Sequence, residues 1–308
     1  MRRSLSGTTS RKVVSEVMPQ DHFRDAAPYS LLGGSGAGGR GVSRDSFSDM
    51  GSMGSNFYDL LRSKCPHLLP DFSGVVAEGG VLSEKIPRGT TILALKYKDG
   101  VIMAGDRMAT EGYQVSHRHI EKIYRTDDFS AIAISGAAGP SIEMARLFQT
   151  EMEHYEKVEG EGLSLEGKAN KLAQMIRQNL SAAIQGLVVI PIFAGYEEQK
   201  GEGRIFKYDL TGGRYEESEY HATGSGGKDA RNTIKKLYRK DMERSEGVRV
   251  VLEALLDAAE EDVGTAGPDP VKGIYPSMKT ITRERIKDVP EEEIKSIYEA
   301  LIERRRSG

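Results

Sequence analysis

From residue 90 onward the sequence predicts an α+β fold of four layers, α-β-β-α, preceded by a largely disordered segment. Three observations carry that prediction. Apolar spacing changes in blocks, running strands, two helices, strands, two helices, a strand and a helix. That order is not the strict strand–helix–strand alternation of a doubly wound sheet. Finally, each block leaves an apolar face, and two stacked sheets flanked by helix pairs would bury all of them. The chain therefore divides into residues 1–89 and one globular domain, 90–308.

The leading segment has the composition of a linker. Gly33-Gly34-Ser35-Gly36-Ala37-Gly38-Gly39 is flexible, and more Gly and Ser follow to Ser55. Phe57-Tyr58-Asp59-Leu60-Leu61 and Leu68-Leu69 interrupt it. They read either as a short helix that docks on a partner or as a fluctuating apolar patch.

Period-two sequence begins at Thr91, with Ile92, Ala94, Leu95 and Tyr97. Lys98-Asp99-Gly100 then turns the chain into Val101-Ile102-Met103-Ala104, a hairpin signal. Lys122-Ile123-Tyr124 and Phe129 to Ser135 give two more strands, joined by the polar Thr126-Asp127-Asp128. Pro140 opens a helix whose apolar set is Ile142, Ala145, Phe148 and Met152. A second helix is expected from Leu165 through Leu172, Ile176 and Leu180 to Ile184. The run Leu187 to Phe193 is continuously apolar and reads as a strand buried on both faces. Arg204 to Tyr215, turning at Thr211-Gly212-Gly213, is a further hairpin. Helices follow at 229–242 and 248–262, then a closing strand at Lys279-Thr280-Ile281-Thr282. The last helix starts near Asp288 and Pro290. It places Glu291, Glu292 and Glu293 at its positive end and Arg304, Arg305 and Arg306 at its negative end.

Bulk properties narrow the function classes. A chain of 308 residues with net charge −3 does not offer a dedicated nucleic-acid surface. The single Cys65 has no partner for an internal disulfide, which fits a reducing cytoplasm. No apolar run approaches the ~20 residues of a membrane span. Met1-Arg2-Arg3-Ser4 is basic but leads into no signal-type stretch, so a cytoplasmic protein is expected. His117, His119 and His221 are not spaced as metal ligands, and no metal or cofactor is expected.

Catalytic chemistry enters at Thr90. An internal Thr hydroxyl is a poor nucleophile, but an N-terminal Thr brings its own base, an α-amine of pKa roughly 7.7–8.0. Cleavage after Gly89 would create that terminus where linker composition gives way to strand. The motif recurs at Gly7-Thr8-Thr9, and context separates the two copies. Asp106 and Lys122 lie 16 and 32 residues after Thr90, whereas the same offsets from Thr8 reach Arg24 and Arg40. Taken singly, Asp106 reads more readily as a turn residue, Lys122 as a strand lysine and Ser225 as a loop residue.

Together these residues are familiar. Gly89-Thr90-Thr91, Ala104-Gly105-Asp106-Arg107, Lys122-Ile123-Tyr124, Ser135-Gly136, Gly195-Tyr196 and Gly224-Ser225-Gly226 follow one another as in proteasome β subunits. The match runs from Thr90 to the C-terminus and resembles the actinobacterial 20S type, which also has a long pro-segment ending in Gly before Thr. The resemblance implies an N-terminal nucleophile hydrolase fold and a threonine endopeptidase, self-activated between Gly89 and Thr90. It implies Thr90 as nucleophile, Lys122 as the lysine that favours deprotonated neighbours, and Asp106 as its ion partner. It assigns the Gly136 N–H to the oxyanion, and Ser225, Asp262 and Thr265 to orienting the amine. Position 265 is often Ser in the family, and Val263-Gly264 also departs from the commoner pattern. By family position the substrate pocket would be walled by Ala109, Ile120, Tyr124, Ile134, Ala138 and Ile142, with Thr110 also binding substrate. The partners implied are an α subunit, other β subunits in heptameric rings, a ring ATPase activator and unfolded proteins carrying a small protein tag. Three other readings compete. An HslV-type peptidase shares the Thr-Thr start but typically has a much shorter pro-segment. A non-catalytic ring subunit typically lacks part of the Thr, Asp and Lys set. A small-molecule amidohydrolase of the same fold is more remote.

Overall fold

The structure, a computed structural model, describes residues 90–111 and 114–307. The readings that fall on residues 1–89, Cys65, Gly89 and the apolar Phe57–Leu69 stretch among them, lie outside the described residues.

Two five-stranded sheets stack face to face among the described residues. The first has the order β10-β1-β2-β11-β12 and the second β5-β6-β7-β8-β9, all neighbours antiparallel. In the first, β1 is Thr91–Tyr97, β2 Gly100–Gly105, β10 Tyr220–Gly224, β11 Ser277–Thr282 and β12 Arg285–Asp288. In the second, β5 is Ile123–Arg125, β6 Ser130–Gly136, β7 Val189–Glu197, β8 Glu202–Tyr208 and β9 Arg214–Glu217. A small hairpin, β3 (Ala109–Glu111) with β4 (Gln114–His117), stands apart. Helices α1 (Ala138–Glu159) and α2 (Leu165–Gln178) cover the second sheet. A short α3 (Leu180–Ile184) follows them. Helices α4 (Gly227–Leu237) and α5 (Arg244–Glu261) pack on the first sheet, and α6 (Glu291–Ser307) packs on α5.

Three apolar clusters are the mortar between these layers. Ile92, Ala94, Val101, Met103, Ile123, Ala133 and Ile192 fill the space between the sheets. Leu93, Leu95 and Ile102, the alternate residues of the same strands, turn outward onto Val248, Val251 and Leu255 of α5. Strand β1 is thus buried on both faces, so its sequence shows a continuous apolar run rather than clean alternation. On the other side Phe148 of α1 meets Phe193 edge-on at 5.8 Å, and Phe193 stacks on Phe206 at 6.0 Å. This is the expected α-β-β-α sandwich.

Element boundaries differ in instructive places. The expected long second helix breaks at Asn179, whose backbone N–H folds back on Met175 and Ile176 while its amide reaches the Leu187 carbonyl. The helix expected at 229–242 stops at Leu237, because Tyr238 turns extended and packs on Tyr220 at 5.3 Å. Gly100 is not a turn centre. Lys98 and Asp99 make the turn, and Gly100 opens β2, where a Cβ would stand 2.0 Å from the Ile281 carbonyl oxygen of β11. The C-terminal arginines do more than complement a helix dipole. Arg305 donates to Glu260 at 2.6 Å and also pairs with Asp257, fastening α6 to α5.

Candidate active site

The head of β1, the end of β2, the segment before β5 and the loop after α5 converge on one buried cluster. Asp106, just past β2, is wholly buried. A carboxylate there must have its charge and lone pairs answered. Its Oδ1 accepts from Lys122 Nζ at 2.6 Å and from the Thr91 N–H at 2.7 Å. Its Oδ2 accepts from the Met108 N–H at 3.0 Å and the Ala266 N–H at 3.2 Å. Asp106 is therefore neither a free turn residue nor only a counter-ion. Its side chain binds the head of β1, the Lys122 segment and the loop after α5 to one another.

Lys122 is also buried, 4 % exposed, so it is not a strand lysine reaching solvent. Burial pulls its ammonium below the ordinary lysine pKa, while Asp106, and more distantly Asp262, oppose that fall.

Thr90 precedes β1 and is 6 % exposed. Its carbonyl accepts the Ser225 N–H at 2.9 Å, and its own nitrogen donates to Ser225 Oγ at 3.4 Å. In the uncut chain that nitrogen is a peptide amide and stands in for the amine that cleavage would release. The approach depends on Gly224, whose φ is +100° and whose Cβ, if present, would lie 1.9 Å from the Thr90 oxygen. The family resemblance had singled out Ser225 in this Gly-Ser-Gly run; Gly224 is what lets it come so close.

Asp262 and Thr265 sit in the loop after α5. Thr265 Oγ1 donates to Asp262 Oδ2 at 2.5 Å, and the Gly264 N–H caps Asp262 Oδ1 at 3.1 Å. Val263, beside it, is left 88 % exposed. The hydroxyl of Thr265 also meets Thr91 Oγ1 at 2.6 Å. Thr91 was not among the sequence-derived site residues. Only its place beside Thr90 hinted at it.

A cleft opens beside Thr90. It is lined by Ala109, Ile120, Tyr124, Ile134, Ala138 and Ile142, together with Lys122 and Gly136. Thr110, which the resemblance gave as substrate-binding, does not line this cleft; it pairs with Val115 across the β3–β4 hairpin. Two polar residues that sequence reasoning missed, Glu121 and Ser141, also line the cleft. Glu121 is engaged locally, its Oε1 accepting the Ile123 N–H at 3.0 Å. The Ile134 N–H bonds the Lys122 carbonyl at 3.0 Å, and the Ala137 N–H bonds Val188 on the opposite side at 2.8 Å. Strand alternation therefore turns the Gly136 N–H to the Lys122 side, past the end of β5. Gly136 itself has φ +118°, and any Cβ would meet the Val188 oxygen at 2.0 Å. Among the described residues no group of three or more His, Cys, Asp or Glu is placed to hold a metal ion. None of the described helices is long and apolar enough to cross a membrane.

The stacked sheets and the threonine at the head of β1 define the fold class of the N-terminal nucleophile hydrolases. Comparison with known proteins narrows the class. Residues 86–271 match the proteasome subunit family. The chain is 52 % identical over 238 residues to a proteasome subunit beta of Acidimicrobium ferrooxidans, covering 73 % of this chain and 87 % of that protein. It is 47 % identical over 251 residues to a proteasome subunit beta of Streptomyces griseus, covering 82 % and 89 % respectively. The chain belongs to the proteasome subunit family, among the β subunits of the 20S core.

Proposed function

We propose that this chain is a catalytic β subunit, a threonine endopeptidase that frees its own nucleophile by cleavage between Gly89 and Thr90. The mature subunit is then 90–308. The observation that supports this reading best is the buried Lys122–Asp106 pair, set beside Thr90 at the mouth of an apolar cleft. A ring subunit that only builds walls has no use for a buried ammonium there, and its burial is costly.

On this reading the chemistry has two stages. For maturation, Thr90 Oγ attacks the Gly89 carbonyl. The C–N bond to Thr90 breaks, its nitrogen takes a proton, and an ester to Oγ remains. Water hydrolyses that ester, releasing the Gly89 carboxylate and a free Thr90 amine. For substrate cleavage, the amine accepts the hydroxyl proton as Oγ attacks a peptide carbonyl. The Gly136 N–H stabilises the developing oxyanion. The leaving amine takes the proton, and water cleaves the acyl ester. Lys122, held charged by Asp106, favours the neutral amine and the more acidic hydroxyl. Ser225, against the Thr90 nitrogen, fixes its direction.

On this reading the chain assembles with an α subunit and with other β subunits in heptameric rings. It receives unfolded, tagged proteins from a ring ATPase in the cytoplasm. The test is peptidase activity of particles co-assembled with the α partner. Thr90→Ala is expected to reduce hydrolysis of a fluorogenic peptide to background, and retained activity would refute the assignment of the nucleophile.

A further inference from the structure

We propose that Thr91 is a positioning residue for the peptidase reaction, acting through Thr265 on Asp262. This rests on the reading of Thr90 as nucleophile. Thr91 is wholly buried, and three of its polar bonds reach separate arms of the site. Its N–H goes to the same Asp106 oxygen that holds Lys122. Its hydroxyl accepts the Gly226 N–H at 3.0 Å and faces Thr265 Oγ1 at 2.6 Å.

The direction of the hydroxyl bonds can be deduced. Thr265 donates its single hydroxyl proton to Asp262 Oδ2 at 2.5 Å. Thr265 Oγ1 must then accept from Thr91. The Thr91 hydroxyl in turn takes the Gly226 N–H on its lone pair. The result is one polarised chain, Gly226 N–H to Thr91 O–H to Thr265 O–H to the Asp262 carboxylate. Gly226 is required for it, since a Cβ there would come within 2.7 Å of both threonine hydroxyls. The chain links the loop after α5 to the residue adjoining the nucleophile, and no apolar isostere reproduces it.

The experiment uses particles assembled with the α partner in which an added protease removes a replaced leader. Thr90 is then N-terminal whether or not self-cleavage works, and intact mass verifies it. Four subunits are compared with the parent: Thr91→Val, Thr91→Ser, Thr265→Val and the double variant Thr91→Val/Thr265→Val. Thr91→Val is expected to lower kcat at least tenfold with KM within threefold, because the cleft walls do not include Thr91. Thr91→Ser, which keeps the hydroxyl, is expected to recover most of that loss. The double variant is expected to be within threefold of the slower single one, since both break the same chain. A Thr91→Val kcat within threefold of the parent would overturn the proposal. So would Thr91→Ser no faster than Thr91→Val, or losses that multiply in the double variant. An inactive parent particle would instead count against the nucleophile reading itself.

Discussion

At the scale of single residues the site is governed by one buried carboxylate. Asp106 accepts one ammonium and three backbone N–H groups, so removing any donor leaves a charge in a place water does not reach. Lys122→Met is therefore expected to abolish peptidase activity and to destabilise the subunit by about 3–5 kcal/mol, the range for breaking a buried pair from one side. Urea unfolding of the variant beside the parent, with a peptidase assay, checks both. Spacing from Thr90 picked out Asp106 and Lys122, because both lie at the ends of strands that sequence pattern finds, and their contact was what the family resemblance implied. The Met108 and Ala266 N–H donors were not, since main-chain groups carry no sequence signal. Thr91 escaped for a different reason: its bonds reach Gly226 and Thr265, 135 and 174 residues away.

At the scale of elements, strongly patterned segments were legible and polar ones were not. Strands β1, β2, β6 and β7 and helix α1 stand where apolar spacing placed them. The β3–β4 hairpin and β12 were missed; Gln114–His117 and Arg285–Asp288 are mostly polar and owe their strand form to pairing. The packing of α1 on the second sheet rests on Phe148, fully buried between helix and strand. Phe148→Ala is expected to cost about 3–5 kcal/mol, read as a lower denaturation midpoint of the isolated subunit. Strand β10 carries a pH-sensitive residue. Burial, aided by Lys207 and Arg231 and opposed by Glu217, lowers the His221 pKa from 6.5 to about 4. The unfolded chain thus binds this proton at a pH where the folded chain does not. Stability is expected to fall as pH drops from 6.5 toward about 4, and His221→Gln should reduce that fall. Unfolding midpoints at pH 7 and pH 5 for both proteins measure it. An equal fall in both would remove His221 from the account.

At the scale of the whole molecule, the layered fold was legible because four layers follow from the order of the element blocks. The cleft's character was only partly so. Its six apolar walls disfavour a Lys or Arg side chain, which would lose hydration there. Glu121 and Ser141 add polar residues to its lining that chain position alone did not suggest. Cleavage is expected after Leu or Tyr in preference to Arg or Glu. The margin should be broad rather than strict, about 10–200-fold at most per methylene of fit. Values of kcat/KM for matched peptides decide it, and faster cleavage after Arg or Glu would refute the pocket assignment without touching the nucleophile.

The central claim is that Thr90 becomes the N-terminus by its own action, and intact mass of the β subunit from particles assembled with the α partner tests it most directly. The parent is expected to give the mass of residues 90–308, and Thr90→Ala the mass of the unprocessed chain. A parent subunit beginning at Met1 or Thr91, or a Thr90→Ala subunit cut after Gly89, would contradict it.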